Sequence, residues 1–188
     1  MREIIKPGIA LFVIALTAAA LLGLINYITE PAITANTLAA RKAAAAEVLP
    51  LGPGGAFAEE VPVESGGGVT GYSAGTSGAG TVGWAVSVTA KGYGGDVAML
   101  VGVDASGVVT GVKILSHKET PGLGANAAAG WADQFVGKSG GLTVVKGAAG
   151  EGEIQTITAA TITSRAVTNG VNDVLRFCES ELKGGGGQ

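Results

Sequence analysis

The sequence predicts an α+β protein, with an N-terminal transmembrane helix and one extracytoplasmic domain whose mainly antiparallel sheet is flanked by helices. Three observations carry that reading. Pro7 to Thr29 contains no charged residue. Between Gly71 and Leu115, β-branched and aromatic runs alternate with glycine turns. Connections this short favour antiparallel pairing, because a parallel crossover needs about a dozen residues or more. Finally, Val167, Val171, Val174, Leu175 and Cys178 fall at i, i+4, i+7, i+8 and i+11, the spacing of one buried helix face.

The elements follow in chain order. A bilayer core ~30 Å thick is spanned by ~20 apolar helical residues, and the run from Pro7 to Thr29 is long enough. A cleavable signal peptide would have an apolar region of only ~7–15 residues, so the segment reads as a retained, single-pass anchor. Arg2 and Lys6 precede it and Glu30 is the first charge after it. The positive-inside rule then puts the N-terminus in the cytoplasm and the domain outside the cytoplasmic (inner) membrane. Thr29 and Pro31 resemble an N-cap and first-turn pair for a new or continued helix. Alanine-rich residues 33–48 favour helix, and Leu49-Pro50 ends it. Residues 51–68, rich in Gly, Pro and Glu, read as a linker.

Strands are expected at Gly71 to Ser73, Thr81 to Val88, Val97 to Val103 and Val108 to Leu115, with Ala105-Ser106-Gly107 closing a hairpin between the last two. Asn126 to Phe135 reads as a helix carrying Trp131 and Phe135 inward, followed by short strands at Leu142 to Val145 and Ile154 to Ile157. The final helix is expected from Thr163 to Leu182, and Gly184 to Gln188 as a disordered tail. The organisation is therefore a membrane anchor over 1–29, a connecting helix and linker over 30–68, the domain over 69–183 and the tail over 184–188.

Composition removes several functions. The net charge of −3 gives no basic footprint, so no nucleic-acid partner is expected. One Cys and one His are too few for an iron–sulfur cluster, a C-x-x-C-H haem or a structural zinc, so no metal site is expected. Cys178, on the apolar helix face, reads as a small buried hydrophobe. Any electron carried here must sit on an organic cofactor. A hydrolase would have to recruit His117 with Ser116 or Ser164 and Asp133, and the chain has no G-x-S-x-G elbow.

The run Thr158-Ala159-Ala160-Thr161-Ile162-Thr163-Ser164 opens the final helix. Thr and Ser there cap backbone N–H groups, and the helix dipole favours an anion, so a phosphate would be held by both. An ordinary N-cap with spare threonines is the plainer reading of the same residues. A second segment, His117-Lys118-Glu119-Thr120-Pro121-Gly122-Leu123-Gly124, reads as a rigid turn. Pro121 fixes φ there, and Gly122 and Gly124 let the backbone approach a flat ligand.

Both segments resemble a known family. Gln155 to Ser164 is similar to the D-x-x-[ST]-G-A-[ST]-x-[ST] flavinylation motif of FMN-binding domains. That motif occurs in the G subunit of Rnf complexes and the C subunit of sodium-pumping NADH:quinone reductase. The match departs at two positions, Gln155 for the family Asp and Ala159 for the family Gly, and a methyl at Ala159 hinders φ > 0. The second segment matches the H-x-E-T-P-G-L-G signature of Rnf G subunits at every specified position, and favours that family over the quinone reductase. Lys91-Gly92-Tyr93-Gly94-Gly95 is a weaker likeness.

The resemblance implies FMN bound covalently through a phosphoester to Thr161. It implies cofactor contacts from Tyr93, His117, Lys118, Glu119, Thr120, Gly122, Leu123, Gly124, Thr158, Ala160, Thr163 and Ser164. Thr163 and Ser164 are expected to donate to the phosphate or cap the helix, and Lys118 to balance its charge; Trp131 reads as core before flavin partner. The protein is then an electron-carrying subunit of an ion-translocating oxidoreductase, without stand-alone catalysis. That complex couples ferredoxin:NAD⁺ electron transfer to Na⁺ or H⁺ translocation. Its partners are the other Rnf subunits, a flavin transferase using FAD and Mg²⁺, and the lipid bilayer. The equivalent component of the quinone reductase and a membrane-anchored domain without redox role are the alternatives.

Overall fold

The computed structural model describes residues 2–78 and 80–183, and in two units, 1–42 and from Ala43 onward. The predicted tail and the side chains of Arg2 and Lys6 lie outside what is described.

The first unit is helical. It lies within α1 (Arg2–Val48), which runs without interruption through Pro7 and Pro31. Thr29 and Pro31 therefore mark no new start: the Thr29 hydroxyl donates back to the Ile25 carbonyl. Thr17 does the same to Val13 at 2.8 Å and Thr34 to Glu30 at 2.9 Å. Such back-bonding satisfies the hydroxyls within the helix itself. Ile9, Phe12, Leu16, Leu22 and Ile28 are all exposed, on every side of the helix. The helix is long and apolar enough to cross a membrane by length and composition.

The second unit is built on a sheet. Its strands are β1 (Ala56–Phe57), β2 (Val61–Gly66), β3 (Val69–Ser77), β4 (Gly80–Lys91), β5 (Asp96–Asp104) and β6 (Val109–Ser116). Among the described residues they form one antiparallel sheet, with β3, β4, β5 and β6 adjacent in that order and both β1 and β2 on β3. β1 and β2 arise from the stretch read as linker, whose Gly, Pro and Glu content masks two short edge strands. The Ala105-Ser106-Gly107 hairpin forms as expected: Asp104 Oδ1 accepts the N–H of Ser106 at 2.8 Å and of Val108 at 3.0 Å.

The strands alternate cleanly between two faces. Val86 and Val88 of β4 and Val97, Met99, Val101 and Val103 of β5 point into the main core. There they meet Val167, Val171 and Val174 of α2 (Thr161–Phe177), all completely buried. Burying such side chains contributes ~1.5–3 kcal/mol each. Ala85 and Leu100 face the other way, onto Ala44, Ala45, Val48 and Leu49 at the end of α1. Two paired glycines make that seat, Gly102 opposite Gly111. A Cβ on Gly102 would lie 2.2 Å from the Val48 carbonyl oxygen, and one on Gly111 2.8 Å from Val48 Cα.

Further expectations change. Asn126 to Phe135 is not one helix but two 3₁₀ turns, Gly124–Ala128 and Trp131–Phe135, interrupted by Gly130 at φ 85°. Phe135 is buried as predicted, and Trp131 packs on its edge at 5.5 Å. The two short strands, β7 (Thr143–Val145) and β8 (Glu153–Gln155), pair in parallel as a separate ladder. A three-residue ladder needs no long crossover, and glycines 147, 150 and 152 shorten the return. α2 starts at Thr161 and passes into a π-helical turn, Cys178–Lys183.

Candidate functional site

Three segments meet at the N-terminal end of α2: the β4–β5 turn, the loop after β6 and the approach to the helix itself. They enclose a cavity of about 500 Å³ lined by Tyr93, Glu119, Thr120, Leu123, Gly124 and residues 159–163. That volume falls within the ~300–1,000 Å³ of small-molecule sites.

Each wall follows from local sequence. Thr120-Pro121-Gly122-Leu123 is a tight turn, with the Leu123 N–H donating to the Thr120 carbonyl at 3.2 Å and Gly122 at φ 75°. Proline then glycine at the centre is the type II pattern. Thr158 and Ala159 make the turn into α2, and Ala159 takes φ 60°, the one positive value outside glycine among the described residues. The left-handed conformation costs an alanine roughly 1–2 kcal/mol. The methyl was expected to hinder that conformation, yet the turn keeps it.

At the mouth of α2 the first intrahelical bond runs from the Ser164 N–H to the Ala160 carbonyl at 3.0 Å. The N–H groups of Thr161, Ile162 and Thr163 precede that ladder, and no side chain caps the helix. The hydroxyls differ sharply. Thr163 is buried and donates to Glu119 Oε2. Ser164 is buried, donates to the Ala160 carbonyl at 3.0 Å and accepts the Ile157 N–H at 2.9 Å. Thr158 is exposed and outside the cavity wall. Thr161 is half-buried, lines the cavity, and its hydroxyl makes no hydrogen bond among the described residues. An unpartnered hydroxyl, three helix-end donors and a wall that includes Gly124 and the partly apolar Tyr93, Leu123 and Ile162 fit a flat phosphorylated ligand.

The profile of the FMN-binding domain family matches residues 92–176, and that of the RnfG N-terminal region matches residues 1–48. The G subunit of the Na⁺-translocating ferredoxin:NAD⁺ oxidoreductase complex of Acetobacterium woodii is 43% identical over 185 residues, covering 91% of this chain and 89% of that one. The chain belongs to the family of Rnf G subunits.

Another member of this family is the G subunit of the proton-translocating ferredoxin:NAD⁺ oxidoreductase complex of Clostridium ljungdahlii. It is 47% identical over 95 residues, 48% of this chain and 50% of its own length. The crystal structure of Shewanella oneidensis NqrC shares the fold, with a TM-score of 0.52 at 20% identity over 62% of this chain and 63% of that one.

Not every residue to which the Rnf resemblance pointed reaches the cavity. Thr161, Thr163, Ala160, Glu119, Thr120, Leu123, Gly124 and Tyr93 line it. Thr163 and Ser164 neither cap the helix nor point a free hydroxyl at it, because Glu119 and the Ala160 carbonyl already take their protons. Lys118 is exposed outside the wall, its aliphatic stem lying toward Gly95. His117 also lies outside it, with Nδ1 accepting the Glu119 N–H at 3.3 Å. Gly122 shapes the turn, and its carbonyl accepts from Asn126 Nδ2 at 3.2 Å. Trp131 donates from Nε1 to the Gln155 carbonyl at 2.7 Å, bracing the strand that leads to the site. Sequence reasoning missed Ile162, 55% exposed at the cavity wall. Its signal was an apolar residue on the polar side of the α2 pattern.

Proposed function

We propose that this protein is the flavin-carrying G subunit of an ion-translocating ferredoxin:NAD⁺ oxidoreductase complex. On this reading FMN is held by a phosphoester at Thr161. The carrying observation is the contrast among the hydroxyls of one turn: Thr161 alone among Thr161, Thr163 and Ser164 is unpartnered and open to the cavity. FMN supplies the one- and two-electron chemistry, and the chain supplies binding, orientation and electrostatics. The N–H groups at the start of α2 would face the phosphate. Tyr93, Leu123 and Ile162, which are 72%, 40% and 55% exposed, would cover the ring system. The helix α1 anchors the protein, with the N-terminus in the cytoplasm and the domain outside the cytoplasmic membrane. The other components of the complex and a flavin transferase are its partners.

Denaturing gels of the protein co-produced with a flavin transferase test this directly. Wild type should fluoresce as a flavoprotein, Thr161→Ala should not, and Thr158→Ala should keep the signal. Fluorescence that survives Thr161→Ala would sink the assignment.

A further inference from the structure

Glu119 is a carboxylate with 6% of its surface exposed, and it is placed by elements far apart in sequence. Oε1 accepts the Gly94 N–H of the β4–β5 turn at 2.9 Å, and Oε2 accepts the Thr163 hydroxyl in the first turn of α2. Among the described residues no cation pairs with it. Its neighbours are glycines that leave room for nothing else. A Cβ on Gly92 would lie 2.3 Å from Oε1, and one on Gly124 would lie 2.5 Å from Oε2 and 2.6 Å from the Thr163 Oγ1. On Gly94 it would meet the Lys118 carbonyl oxygen at 2.0 Å. Two glycines from two loops, Gly92 and Gly124, thus give way to one carboxylate, and Gly94 gives way to the backbone just before it.

We infer that Glu119 is the positioning residue of the site, a clasp that ties the first turn of α2 to the Tyr93-bearing turn and thereby presents Thr161 to the cavity. The physical reasons are geometric and electrostatic. A buried carboxylate is costly unless donors satisfy it, so Gly94 and Thr163 are held where the two oxygens need them. Thr163 lies two residues beyond Thr161 in the same first turn of α2, so tethering its side chain holds the backbone turn that carries Thr161. The same bond occupies the Thr163 hydroxyl, which leaves Thr161 as the free acceptor on that wall. This inference rests on the flavin reading above for its consequence, but the clasp itself is a property of the chain without flavin.

The test uses full-length protein in detergent with four forms: wild type, Thr163→Val, Thr163→Ser and Glu119→Gln. Hydrogen exchange of the flavin-free protein is read at Gly94 and at residues 161–164, and initial rates of flavin attachment are read with purified flavin transferase, FAD and Mg²⁺. Circular dichroism fixes the folded fraction of each. Thr163→Val should raise exchange at Gly94 as well as at 161–164, although Gly94 lies in another element, and should slow attachment about tenfold or more. Thr163→Ser, which keeps the donor, should restore both to within about twofold. Glu119→Gln keeps one acceptor oxygen and should fall between them. Faster exchange confined to 161–164 would overturn the clasp, and wild-type attachment rates in folded Thr163→Val would overturn its role in presenting Thr161. Coupled exchange in Thr163→Val, together with wild-type protein that takes up no flavin, would uphold the clasp and overturn the flavin reading instead.

Discussion

Helix α2 starts in a cavity and ends in the core, and its two ends are built on opposite rules. At the N-terminal end, three backbone donors stand ahead of the helical ladder and the Thr161 hydroxyl has no partner among the described residues. At the C-terminal end, Leu175 and Cys178 are buried, and the Cys178 N–H bonds back to the carbonyls of Leu175 and Val174. The thiol, 1% exposed, has its pKa raised to about 12, by burial first and against the lowering effect of nearby Lys183. One end keeps polar groups available and accepts the cost. The other removes reactivity from the group it holds. The difference teaches that a motif's chemistry depends less on residue type than on whether the fold has already used the polar atoms.

The comparison is broken most severely at Gly124. A methyl there would be driven against Glu119 and Thr163, and overpacking of this kind typically costs about 1–3 kcal/mol. Gly124→Ala should lower the melting temperature and suppress flavin attachment. A glycine near the other end of the helix, Gly141, has open space around it. Gly141→Ser should leave attachment unchanged, and equal losses in both variants would remove the distinction between the two ends.

A smaller effect sharpens it. Ala159→Gly should relieve a left-handed alanine worth ~1–2 kcal/mol, less the ~0.4–1 kcal/mol that glycine's extra unfolded-state freedom takes back. Thermal unfolding should move up slightly, and attachment should proceed at least as fast as in wild type. A drop in both would mean that the methyl, which borders the cavity, contributes contact there.

The smallest effect belongs to Cys178. Its pKa in the folded protein lies above the ordinary 9.0, so the folded state binds the proton more tightly. The stability this thiol contributes is fully present below pH 9 and falls as pH rises toward 12. At pH 8 the folded protein should resist maleimide at Cys178, and the denatured protein should react. Rapid labelling of folded protein would place the C-terminal end of α2 among open sites.

Much of this was legible before folding because it is local. The uncharged run of α1, the alternation of β4 and β5 and the buried face of α2 are periodic patterns that any single stretch displays. The turn at Thr120 to Leu123 is written in its Pro-Gly pair. Less legible were β1 and β2, whose strand character comes from pairing with β3 and not from their own residues. The break at Gly130 was also missed, since a glycine inside an apolar stretch leaves helix and paired 3₁₀ turns alike in pattern.

By itself the sequence determined the long apolar helix, the sheet's central strands and the buried face of α2. These depend on spacing along the chain, and spacing is fully present in the order of residues. Only the tertiary structure decided which hydroxyl on the cavity wall is left free. Thr158, Thr161, Thr163 and Ser164 are near equivalents in sequence. They become different when Glu119, 44 residues before Thr163, takes the Thr163 hydroxyl, the Ala160 carbonyl takes that of Ser164, and Thr158 is left outside the cavity wall. The physical reason is that a hydrogen bond is a pairing in space, and the partner that selects among adjacent donors is supplied by another part of the fold.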